Sequence, residues 1–169
     1  MSLIVPGLTV FFTVILAAVP WGLPDDATFI LPLVAVMTVF CWRAIPGANL
    51  PAIIAVVFGL LLDVTSGGPL GFWALLALAA ASAGTRAQPF ASRSDWTPLW
   101  LVWIGLAATL AVSGWLIASL YYFRWIDWWP IAFGVVVSIA LFPIVLYGLL
   151  WVRHGRVGLA RDTIFRGAS

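Results

Sequence analysis

Charged residues in this chain fall at so few positions that they leave six charge-free runs, at residues 1–24, 27–42, 44–62, 64–85, 96–123 and 128–152. A helix needs about 20 apolar residues to cross a hydrocarbon core. Most of the runs reach that scale, and the short run 27–42 is extended by Arg43, whose stem is expected to snorkel. Backbone inside lipid must satisfy its own hydrogen bonds, so only helices and closed barrels can span it. A barrel strand would alternate apolar and polar residues over roughly ten positions, and the runs show no such alternation. With 64% hydrophobic and 8% charged residues, and a mean hydropathy of +1.13, the composition lies far from that of a soluble domain. The expected fold is an all-α integral membrane protein with six transmembrane helices in one domain, residues 1–152, followed by a basic cytoplasmic tail, 153–169.

Turn-forming residues divide the runs. Gly22-Leu23-Pro24-Asp25-Asp26, Ile45-Pro46-Gly47, Ser66-Gly67-Gly68-Pro69 and the stretch from Gly84 to Pro98 read as breaks. Helices are expected near 3–21, 28–44, 47–65, 70–85, 98–122 and 129–152. Residues 47–84 fit either two spans or a re-entrant hairpin, with length favouring two spans. Retention of the N-terminus as the first span is preferred to cleavage, because no basic segment precedes it and Pro20-Trp21-Gly22 is a poor cleavage site.

The basic residues are eight arginines and no lysine. Six spans with an inside N-terminus put Arg43, Arg86, Arg93, Arg153, Arg156, Arg161 and Arg166 on the cytoplasmic side and only Arg124 outside. That asymmetry follows the positive-inside rule and places both termini in the cytoplasm. The pI of about 9.2 is therefore read as a topology signal, with membrane lipids as neighbours and no nucleic acid. Trp21, Trp42, Trp96, Trp125, Trp128, Trp129 and Trp151 sit at expected span ends, where tryptophan favours headgroup depth. The deeper Trp73, Trp100, Trp103 and Trp115 fit either a groove lining or packing against lipid, with lipid-facing packing preferred.

Asp63 is the acid that stands apart, set among apolar residues in Phe58-Gly59-Leu60-Leu61-Leu62-Asp63-Val64-Thr65-Ser66-Gly67. A carboxylate there must find a partner, reach water or stay protonated. Two readings stand side by side: an acid that caps a helix end or reaches headgroup water, using Ser66 and nearby amides, or a polar contact to another helix, a partner protein or a ligand. Gly59 lies one turn back on the same face and would admit a neighbouring helix. Gly67, Gly68 and Pro69 make a turn, and Gly71 opens the next helix, where its small size would permit tight packing. Thr65 and Ser66 can bond backbone freed by the break.

Nothing assembles into a catalytic set. Cys41 is the lone cysteine and His154 the lone histidine, which makes neither a disulfide nor a metal site. Ser113 and Ser138 are expected to bond their own i−4 carbonyls. No enzyme activity, cofactor or metal is expected.

In order along the chain, Pro24-Asp25-Asp26, then Pro32-Leu33-Val34 leading to Trp42-Arg43-Ala44-Ile45-Pro46, then the run around Gly59 and Asp63 with Pro69-Leu70-Gly71, resemble the MreD family of rod shape-determining membrane proteins. The family's most recognisable stretch, Gly-Leu-x-x-Asp followed by a glycine about eight residues later, is matched by Gly59, Asp63 and Gly71. One departure is an N-terminus without basic residues. The resemblance implies a non-enzymatic inner-membrane scaffold of the bacterial elongation complex, regulating cell shape by coupling peptidoglycan synthesis to it. MreC would be the direct partner, with MreB, RodA and penicillin-binding protein 2 in the same complex. Gly59, Asp63, Ser66, Gly67, Pro69 and Gly71 would form a structural or partner-binding motif. The family fold is also similar to the substrate-binding subunits of energy-coupling-factor transporters, so a small-molecule or lipid-binding membrane subunit is the alternative.

Overall fold

In a computed structural model, residues 4–19, 22, 29–47, 50–66, 69–91 and 96–166 are described, the last of these with side chains to residue 152. The secondary structure of the described residues is helical throughout: α1 (Ile4–Ala18), α2 (Ile30–Ala44), α3 (Ala52–Ser66), α4 (Phe72–Ala91), α5 (Thr97–Tyr121) and α6 (Trp129–Arg166). Among the described residues two stretches are long and apolar enough to cross a membrane, Thr97–Tyr121 and Trp129–Val152, while α1, α2 and α3 are shorter apolar helices.

The centre of the bundle is α2. Eleven of its 15 residues are buried, and it packs on α1, α4 and α6. α4 packs in turn on α3 and α5, so α2 and α4 together form the axis around which the others gather. Phe40 of α2, Trp103 of α5 and Phe142 of α6 meet in the core, the last two stacked at a ring separation of 6.2 Å. Away from the core the helices present large apolar side chains, among them Phe12, Ile53, Leu101, Val136 and Ile144. α1 and α6 flank α2 and leave between them an open apolar groove of about 660 Å³.

Two helices run past their expected ends. α4 does not break at Gly84 but continues to Ala91. Gly84 is instead a contact point, where a Cβ would lie 2.6 Å from the Phe40 carbonyl oxygen and 2.7 Å from Arg43 Cβ. Its absent side chain lets α4 press against α2, and that packing outweighs glycine's weak helix propensity. α6 continues as backbone helix to Arg166, so the basic segment 153–166 extends the last helix. At the other end α3 begins only after Pro51, five residues later than expected.

α6 also carries Pro143 in its interior. Proline has no N–H, so the Ile139 carbonyl four residues earlier loses its helical donor. The Trp100 indole Nε1–H of α5 donates to that carbonyl at 3.0 Å. A neighbouring helix thereby satisfies the group that the proline released.

The tryptophans depart from expectation. Trp73 and Trp103 are buried inside the bundle, not turned to lipid. Trp42 is also buried, because its Nε1–H finds the Thr9 hydroxyl of α1 at 2.7 Å. An indole with an internal acceptor has no need of headgroup water. Trp125, Trp128 and Trp129 are exposed, whereas Trp21 lies outside the described residues.

Candidate functional site

The site is the corner where α3 meets α4. A helix start leaves four backbone N–H groups without helical partners, and here the chain supplies no capping side chain of its own, since Gly71 precedes Phe72. Asp63 replaces it from the neighbouring helix. Its Oδ1 accepts the Trp73 N–H at 2.7 Å. Its Oδ2 accepts the Gly71 N–H at 2.9 Å and, at 3.4 Å, the Ala74 N–H. The remaining donor, Phe72 N–H, goes to the Pro69 carbonyl at 3.2 Å. The Gly71 carbonyl then accepts Leu75 N–H at 2.9 Å and opens the helical ladder. Every donor at the start of α4 is accounted for, and an acid at a helix N-terminus also complements the helix dipole.

Asp63 reaches these amides because α3 and α4 come unusually close. A Cβ on Gly59 would lie 2.7 Å from Ala74 N and 2.8 Å from the Trp73 carbonyl oxygen. These are backbone atoms, so a side chain at Gly59 cannot be accommodated by a rotamer change. Asp63 is left 1% exposed, one turn along from that contact.

Among the other residues of the expected motif, Gly71 is required for conformation and not for close packing. Its φ is +95°, and a Cβ there would meet nothing within 4 Å. Ser66 is exposed and donates to the Asp63 carbonyl at 3.4 Å, while Thr65 donates to the Leu62 carbonyl at 3.1 Å. Both thus occupy carbonyls of the last turn of α3. Pro69 contributes its carbonyl to the cap. Gly67 lies outside the described residues, as do Gly68, Pro24, Asp25 and Asp26.

A second polar clamp holds α4 further along its length, and the sequence reading missed it. Arg43 does not snorkel away from the bundle. Its Nη1 donates to the Leu50 carbonyl at 2.7 Å, its Nε to the Ala81 carbonyl at 3.3 Å, and its Nη2 to the Thr85 hydroxyl. The Gln88 amide returns a bond to the Arg43 carbonyl at 3.0 Å. The guanidinium therefore ties the α2–α3 connection to α4, beside the contact at Gly84. The available signal was that Arg43 is the one base ahead of residue 86, set where two helices must turn.

A cavity of about 230 Å³ adjoins the capped corner, lined by Phe29, Pro32, Ser66, Pro69, Phe72, Trp73, Gly114, Ala118, Tyr122, Ile126 and Ile131. Asp63 is not part of that lining. Trp73, one of the deeper tryptophans, is. Ser113 bonds the i−4 carbonyl of Thr109, whereas Ser138 takes the i−3 carbonyl of Val135. Among the described residues no three His, Cys, Asp or Glu side chains come together as metal ligands. The His154 side chain falls outside the described set.

Compared with protein-family models, with curated proteins and with solved structures, the chain matches none of them.

Proposed function

We propose that this chain is a non-enzymatic membrane scaffold of the MreD type, spanning the bacterial inner membrane six times with both termini in the cytoplasm. In this reading it binds MreC directly and works beside MreB, RodA and penicillin-binding protein 2 to couple peptidoglycan synthesis to cell shape. The membrane part is supported by the two long apolar helices, by the large apolar side chains on the outer faces and by the arginine asymmetry.

The observation that carries the scaffold reading is the commitment of Asp63. Both carboxylate oxygens are occupied by amides of α4, and the residue is enclosed. It has no free face for a substrate. Its work is to hold two helices at a fixed corner, and what the corner offers a neighbour is shape. Val64 and Leu70, 71% and 79% exposed, project there, an apolar edge suited to a partner's membrane helix.

The test is co-purification with MreC from rod-shaped cells. Asp63→Ala should insert but lose MreC and round the cells. Leu70→Trp should do the same with the cap intact, because it obstructs the edge and not the corner. Rod shape and full MreC recovery in both variants would overturn the proposal.

A further inference from the structure

Beyond a scaffold role, and independently of it, we propose that the cavity beside the corner is a binding site for one small aromatic molecule, of about the size of two fused rings. The cavity measures about 230 Å³. An apolar cavity of about 150 Å³ stays dry and takes a benzene, so this one has room for a bicyclic guest. The lining is mainly apolar and rich in rings: Phe29, Phe72, Trp73 and Tyr122. Aromatic edges and faces of this kind favour an aromatic partner over an aliphatic one. The Ser66 hydroxyl, whose own proton is directed to the Asp63 carbonyl, keeps its lone pairs to accept one N–H or O–H from the guest.

The walls are built in advance, which distinguishes this space from a packing defect. Trp73 is fixed by the Asp63 cap, which accepts its amide, and Phe72 by the turn before α4, where its amide bonds the Pro69 carbonyl. They pack edge to face at 5.2 Å, and Phe29 packs on Trp73 at 6.2 Å. Gly114 leaves room for Phe72, whose Cζ would lie 3.1 Å from a Cβ there. The opposite wall is the α5–α6 connection. Arg124 N–H bonds the Ser119 carbonyl and Phe123 N–H the Leu120 carbonyl, each at 3.3 Å, closing a Schellman turn. The Trp115 indole N–H then bonds the Ile126 carbonyl at 2.9 Å. These bonds hold the backbone that carries Tyr122 and Ile126, which reduces the ordering needed when a guest enters.

The probe is 5-fluoroindole, titrated into the full chain in lipid nanodiscs and followed by fluorine NMR. A protein-bound resonance separate from the lipid-partitioned one should saturate at one per chain. Ala118→Leu fills the cavity from α5 and should weaken binding at least about tenfold, as overpacking an occupied site does. Ala108→Leu, on an exposed part of the same helix, should leave it unchanged. Helicity by circular dichroism shows that both variants fold. Should Ala118→Leu fail to fold, competition of unlabelled indole for the bound resonance replaces it, with full displacement expected. Signal that only scales with lipid, saturable binding equal in the two variants, or failure of indole to compete would overturn the proposal.

Discussion

The Trp73 backbone N–H donates to Asp63 Oδ1 at 2.7 Å, joining residues ten apart in the chain and on two different helices. Through this bond and its companions to Gly71 and Ala74, one side chain of α3 serves as the N-cap of α4. A cap substituted by alanine costs about 0.5–2 kcal/mol in ordinary helices. Here the burial of both partners raises the stake, because orphaned buried groups each cost about 1–3 kcal/mol.

The approach of α3 to α4 sets the first prediction. Gly59→Val places methyl groups against the backbone of Trp73 and Ala74, and overpacking of this kind costs about 1–3 kcal/mol. Gly71→Ala meets no atom but forces a Cβ at φ +95°, costing about 1–2 kcal/mol. Gly148→Ala, inside α6, meets nothing and carries no positive φ, so it should hold or gain up to about 1 kcal/mol of stability. Thermal unfolding in detergent checks the order: both corner variants melt below the parent, and Gly148→Ala melts with it or above it.

Two buried tryptophans form a matched pair. Trp42 is 1% exposed with its N–H bonded to Thr9, and Trp103 is 0% exposed with no partner for its N–H among the described residues. Replacement by phenylalanine removes similar volume from each. Trp42→Phe also loses a hydrogen bond, whereas Trp103→Phe removes an unsatisfied donor. Trp42→Phe should therefore destabilise by about 1 kcal/mol more than Trp103→Phe, read as the difference in unfolding midpoints.

Trp100 and Pro143 should be energetically coupled. Trp100→Phe leaves the Ile139 carbonyl without a donor, at a cost of about 1–3 kcal/mol. In a Pro143→Ala background the helix supplies its own N–H to that carbonyl, and the same tryptophan change should cost less. A double-mutant cycle measures this coupling, and additive effects would contradict it.

Phe123 adopts φ +51° in the turn after α5 and is 96% exposed. A left-handed phenylalanine carries about 1–2 kcal/mol of strain, which glycine relieves, although glycine gives back part of that gain in the unfolded chain. Phe123→Gly should hold or raise the melting temperature. A clear fall would show that the exposed ring contributes a contact that the strain offsets.

The helical class was readable because charge-free runs in lipid leave few alternatives, and the corner was readable because an acid among leucines must be satisfied by something. The identity of that something was not. Backbone amides carry no sequence signature, so Asp63 announced a need and not its partners. Gly84 read as a break because glycine punctuates most helices, yet its role depends on α2, some 40 residues away. Trp42 read as interfacial because tryptophans at span ends commonly are, and the Thr9 hydroxyl that draws it inward belongs to another helix. The pairing of Trp100 with the carbonyl released by Pro143 was hidden for the same reason. Local periodicity reports helices, while these contacts arise only when the helices are packed.

The central claim, that Asp63 caps α4 from α3, is tested most directly by residue-resolved hydrogen exchange on Asp63→Ala. The Gly71 and Trp73 amides should exchange at least about tenfold faster than in the parent, as loss of a buried acceptor requires. Amides of the central helix α2, from Met37 to Phe40, should keep their protection. Unchanged protection at Gly71 and Trp73 would contradict the account.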